Sequence, residues 1–112
     1  MELKTYQEND VTVIEIIGHL DTMTSADYEK QMTGLIEGGA KLFIADCSQL
    51  DYISSSGLRV LLMTLKSVSN KGGKFILCAM QTPVLEVFKI CRFDNLFTIV
   101  ADKQAALKQI ED

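Results

Sequence analysis

β-branched residues dominate Val11 to Ile17, with polar Thr12 and Glu15 interspersed, and this pattern predicts a strand whose two faces differ in exposure. Leu3 to Gln7 can pair with it as a hairpin through Glu8-Asn9-Asp10. From Thr24 the period changes. Tyr28, Met32, Leu35 and Ile36 recur at helical spacing, Thr24 or Ser25 can cap the start, and Gly38-Gly39 supplies a left-handed stop. Lys41 to Cys47 is an apolar run without alternation, as expected of a central strand covered on both faces, and it places Asp46 at the carboxyl end. A second helix is predicted from Ser55 to Lys71, with Leu58, Leu61, Leu62, Leu65 and Val68 as its apolar stripe and Gly72-Gly73 as its end. Lys74 to Met80 reads as the next central strand. Thr82-Pro83 opens a third helix with Val84, Val87, Phe88 and Cys91 on one face, because proline in the first turn loses no needed hydrogen bond. Phe97 to Val100 is a short strand, and Asp102 can cap a last helix through Ala106, Leu107 and Ile110.

Two strands followed by alternating helices and strands predict an α/β fold. The expected form is one domain over residues 1–112, with a four- to five-stranded mixed sheet, a parallel centre and about four flanking helices. In such sheets functional groups gather beyond the carboxyl ends of the strands. Those ends carry Gly18 to Asp21, Asp46 to Gly57 and Met80 to Pro83, so three loops are expected to converge on one edge.

Composition narrows the partners. With 47% hydrophobic and 23% charged residues in 112, the chain has the make-up of a folding globular domain rather than a disordered one. A net charge of -4 and a pI near 4.9 argue against binding nucleic acid or anionic membrane through clustered cations. Cys47, Cys78 and Cys91 are odd in number, widely spaced and set in apolar runs, which predicts reduced core cysteines rather than a disulfide framework or a metal site. Met1-Glu2-Leu3-Lys4 lacks the order of a signal peptide and no apolar run is long enough to span a bilayer, so a cytoplasmic location is expected.

The segment with chemical character is Asp51-Tyr52-Ile53-Ser54-Ser55-Ser56-Gly57-Leu58, three hydroxyls where a loop becomes a strongly patterned helix. One serine suffices as a cap, which leaves the others without a local structural reason. A phosphate at such a helix start is accommodated by unpaired amides and the partial positive charge. It adds roughly -1.5 to -2 charge to an outward tip, which acts on docking rather than on folding. Asp21 and Asp46, at strand ends, either shape this surface or serve as turn residues. Arg59, just inside the helix, is either a partner contact or a solvated charge.

Ile53 to Leu62, with Gly18-His19-Leu20-Asp21 and Asp46, resembles the STAS domain of bacterial anti-sigma-factor antagonists, in length and element order over nearly the whole chain. The resemblance implies reversible serine phosphorylation, a partner that is an anti-sigma factor with serine kinase activity, and a serine phosphatase that reverses the mark. The family's modified serine lies two residues before the glycine, within Asp-Ser-Ser-Gly or Asp-Ser-Thr-Gly. Anchored on Gly57, this implies Ser55 as the acceptor; Asp21, Asp46, Ser54, Ser56, Gly57 and Arg59, placed near it by the expected fold, are expected to form the kinase- and partner-binding surface. The usual aspartate is here Ser54, which changes the local charge. The hydroxyl of Ser56 is expected to hydrogen-bond near the helix start.

Other readings have less behind them. His19 is the only histidine, and a triad of Ser55, His19 and Asp46 lacks the Gly-x-Ser-x-Gly elbow because Ile53 stands where its first glycine belongs. No catalytic residue, cofactor or metal is expected. A nucleotide-binding STAS module is the alternative from another class, although no GxxxxGK[ST] or GxGxxG sequence accompanies it. An adaptor acting on a target other than a sigma factor is the alternative within the same class.

Overall fold

In the computed structural model, which describes residues 1–111, the elements follow in the order β1 (Glu2–Glu8), β2 (Val11–Leu20), α1 (Ser25–Glu37), β3 (Leu42–Asp46), β4 (Leu50–Ile53), α2 (Ser55–Asn70), β5 (Lys74–Cys78), α3 (Thr82–Ile90), β6 (Thr98–Val100) and α4 (Lys103–Glu111). Asp112, the last residue of the expected domain, lies outside the described residues.

The mixed sheet runs β1-β2-β3-β5-β6, antiparallel at β1-β2 and parallel elsewhere. The five strands expected from the sequence are all present, and β4 brings the sheet to six, one more than the expected four to five. Asn9, at φ 58°, turns the first hairpin in two residues. β4 is an addition that periodicity did not predict: its four residues read buried, exposed, exposed, buried, without alternation. It pairs with β2 beyond the point where β3 ends. β2 therefore continues through an irregularity at Gly18/His19 to Leu20, and the loop expected from Gly18 begins instead at Asp21.

The two faces of the sheet are covered unequally. Tyr28, Met32 and Ile36 of α1, Leu58, Leu61 and Val68 of α2, and Val84 and Phe88 of α3 join one large apolar cluster with Ile14, Ile16, Phe43 and Leu77 from the strands. On the other face α4 alone, through Ala106, covers Val11, Val13, Ile44, Ile76 and Cys78. α1 and α2 are tied inside the core, where the Tyr28 hydroxyl meets Thr64 Oγ1 at 3.0 Å and Thr64 donates to the Val60 carbonyl at 2.8 Å. Burial pushes the Tyr28 phenol pKa well up. Its hydroxyl stays protonated and can act as the donor of that bond.

Gly39 and Gly72, at φ 104° and 76°, stop α1 and α2 as expected. Gly73 answers a separate demand: the chain passes so close to β3 that a methyl group there would collide with the Lys41 carbonyl. The amide of Lys74 bonds that same oxygen at 2.9 Å, which starts β5 in register with β3.

The cysteine expectation needs one correction. Cys47 and Cys78 are buried, but Cys91 is exposed. α3 ends at Ile90, and the chain reverses there, with Arg92 at φ 61° and the Phe93 amide bonded to the Phe88 carbonyl at 2.8 Å. The fourth position of the apolar face thus falls beyond the helix. Burial also pushes the Cys78 thiol up to about 12, and raises that of Cys47 further. Neither presents a thiolate near neutral pH.

These observations give two expected outcomes. A thiol reagent at pH 8 should titrate only Cys91 in the native protein and all three cysteines in denaturant; native reactivity at Cys47 or Cys78 would contradict the packing. Gly73→Ala should lower the urea midpoint by an amount equivalent to about 1–3 kcal/mol through overpacking. Gly34→Ala, with open space around the added methyl in the middle of α1, should raise it by about 0.5–1 kcal/mol.

Candidate functional site

The loops at the carboxyl edge of the sheet converge through specific bonds. Ser54 has extended backbone angles, φ -100° and ψ 177°, and its hydroxyl accepts from the Gly57 amide at 3.3 Å while its carbonyl accepts from the Leu58 amide at 2.9 Å. Ser54 is the cap. Its own amide donates to the Leu20 carbonyl at 3.0 Å, so the end of β2 fixes the start of α2. Gly57 is buried against the same carbonyl and against Ile53, and any side chain there would collide with both. Its contribution to the site is this close approach.

The three serines divide the work. Ser54 holds the helix. Ser56, half-buried, shares a 3.0 Å hydrogen bond with Thr22 Oγ1 from the loop before α1. Ser55, the first residue of α2, is exposed, and its hydroxyl has no hydrogen-bond partner among the described residues. The first turn of α2 contains no acidic residue. A new negative charge on Ser55 would therefore meet free amides and no carboxylate of its own turn.

Both aspartates organise their loops. Asp21 Oδ1 accepts from the Met23 amide at 3.0 Å and from Thr24 Oγ1 at 3.3 Å, and its carbonyl accepts from the Ser25 amide at 2.9 Å. Asp46 Oδ1 accepts from the Ser48 amide at 2.9 Å. These bonds give each carboxylate a turn-forming role. Arg59 is exposed and borders an open groove between α1 and α2, with Thr22, Ala26, Glu29, Ser56 and Met63 as neighbours. The imagined triad is not assembled: His19 lies edge-on to Tyr52, with ring centres 5.6 Å apart, and neither it nor Asp46 bonds Ser55.

Several residues of this surface escaped the sequence reading. Gln81 bridges the third loop to the second, donating to the Ser48 carbonyl at 2.9 Å and to Asp51 Oδ1 at 3.2 Å. Nothing in the local sequence marks a glutamine for that role. Met23, 89% exposed, and Tyr52, 51% exposed, are large apolar side chains presented to solvent from the loop after β2 and from β4. Tyr52 belongs to the segment Asp51 to Leu58, but its exposure beside exposed Asp51 breaks the alternation expected of a strand, so no local signal marks it. Among the described residues no group of three or more His, Cys, Asp or Glu side chains could hold a metal ion, and no helix is long and apolar enough to cross a membrane.

A family model for the STAS domain matches residues 2–106. The Bordetella bronchiseptica protein BtrV, assigned to the anti-sigma factor antagonists, is 32% identical over 80% of this chain and 77% of its own length. The anti-sigma-B factor antagonist of Bacillus subtilis is 28% identical over 90% of this chain and 91% of its own. A crystal structure of a Thermotoga maritima protein, also assigned to the anti-sigma factor antagonists, superposes with a TM-score of 0.93 at 21% identity, covering 98% of this chain and 95% of that one.

The division among the serines predicts unequal effects of their removal. Ser54→Ala should destabilise the fold by about 1 kcal/mol through loss of the cap, whereas Ser55→Ala should stay within about 0.5 kcal/mol of wild type in urea denaturation. Equal losses at the two positions would contradict the assignment of Ser54 as the cap.

Proposed function

The chain belongs to the STAS domain family, and we propose that it is an anti-sigma-factor antagonist whose docking is switched off by phosphorylation of Ser55. The observation that carries this reading is the exposed, unengaged Ser55 hydroxyl between two serines that are both committed to holding the fold. The names of the Bordetella and Bacillus relatives support the class of partner.

In this reading residues 1–112 act as one STAS unit in the cytoplasm, as a binding protein rather than an enzyme. The unmodified form docks on an anti-sigma factor with serine kinase activity, and the anti-sigma factor releases its sigma factor. Met23, Tyr52 and Arg59 supply the exposed side chains of the docking face, a mixture of the kinds that dominate protein interfaces. Asp21, Asp46, Ser54 and Gly57 hold that face in shape.

The kinase transfers the γ-phosphoryl group of ATP to Ser55 Oγ. A new oxygen-phosphorus bond forms as the bond to the bridging oxygen of ADP breaks, and the hydroxyl proton passes to a base of the kinase. The product carries roughly -1.5 to -2 charge where a neutral hydroxyl stood, and a partner that buries this tip must desolvate it. A serine phosphatase restores the hydroxyl by hydrolysis. Neither nucleic acid nor membrane enters the cycle.

Incubation with the cognate kinase and ATP should add one phosphate by intact mass, and Ser55→Ala should abolish it. Ser55→Asp should keep the melting temperature within a few degrees while weakening kinase binding roughly 5- to 150-fold. Phosphate uptake by Ser55→Ala, or wild-type affinity in Ser55→Asp, would overturn the reading.

A further inference from the structure

Ser55 and Arg59 are four residues apart on α2. At 3.6 residues per turn their side chains leave the helix about 40° apart, with Cβ atoms about 5–6 Å from each other. Arg59 is exposed, and the ion pair found among the described residues joins Lys103 to Glu8 at the far edge of the sheet instead. Glu29 is the carboxylate that lines the same groove, yet it is not paired with Arg59. The arginine therefore stands uncommitted one turn above the uncommitted serine.

We infer that Arg59 is the counter-ion of Ser55 once that serine is phosphorylated. This rests on the reading of Ser55 as the modified residue. The guanidinium presents a planar fork of N–H donors that matches phosphate oxygens two at a time, a geometry that a lysine ammonium does not offer. The order along the helix is the favourable one, with the negative group four residues ahead of the positive one. Ser56 does not compete for the role of acceptor, because its hydroxyl is held by Thr22.

Modification then changes two features of the docking face together. The hydroxyl becomes a dianion, and the free cation beside it is drawn down onto the phosphate. A partner whose complementary surface carries a carboxylate for Arg59 loses that attraction in the same event that places an anion in its path. The phosphate gains a fixed orientation along α2, where it would otherwise rotate freely on its side chain.

The test uses the full chain with phosphoserine installed at position 55 during synthesis, so the measurement does not depend on a kinase. Phosphorus NMR titration reads the second ionisation of the phosphate, ordinarily near pH 6. In the wild-type background it should lie lower than in Arg59→Gln by about half a unit or more, with Arg59→Lys between the two. Before modification, Arg59→Gln should leave the urea midpoint unchanged, as befits an exposed, unpaired side chain. Identical ionisation in the wild type and Arg59→Gln would overturn the inference, because the amides of the helix start alone would then account for the environment of the phosphate.

Discussion

One carbonyl oxygen, that of Leu20, sets the geometry on which the serine loop depends. It receives the amide of Ser54 and lies against the bare α-carbon of Gly57, so the last residue of β2 decides both where α2 begins and how closely it approaches. A typical hydrogen bond contributes only about 0.5–1.5 kcal/mol net, whereas forcing a methyl group into a packed contact costs about 1–3 kcal/mol. The steric condition is the stricter of the two. β4 reinforces it by pairing with the end of β2, which would otherwise project unpaired beyond β3.

Upon this rigid base the chemistry is confined to the rim. The core ties α1 to α2 through Tyr28 and Thr64, and no buried side-chain polar atom among the described residues lacks a partner. A charge at the start of a helix changes local free energy by about 0.3–1 kcal/mol, small beside a domain stability of about 5–15 kcal/mol. Coupling between binding events runs at about 1–3 kcal/mol, which matters greatly for an association. The same charge can therefore decide docking while leaving the fold nearly indifferent.

Much of the fold was legible because its signals are local. Helical spacing at Tyr28, Met32 and Ile36, unbroken apolar runs at β3 and β5, and glycine stops at Gly39 and Gly72 each follow from a few neighbouring residues. β4 was not legible, because a four-residue strand with only Leu50 and Ile53 buried exists through its pairing with a distant segment. Cys91 was misplaced for a related reason: the apolar periodicity of α3 continues one position past the turn that ends the helix. At the site, the serine cluster could be seen in the sequence but its division of labour could not. The choice among Ser54, Ser55 and Ser56 depends on Leu20 and Thr22, residues more than thirty positions away. Gln81 belongs to the same class, since its partners lie across two loops.

The length of α2 has a consequence for how such a domain can be built into larger assemblies. Sixteen residues of helix extend about 24 Å, most of the span of a molecule measuring 31 × 27 × 23 Å. The glycine joints at Gly38-Gly39 and Gly72-Gly73 therefore sit at one pole and the serine loop at the other. A tether, a reporter or a companion module grafted at the glycine pole would ride at the back of the molecule, leaving the working pole as free to meet its partners as before.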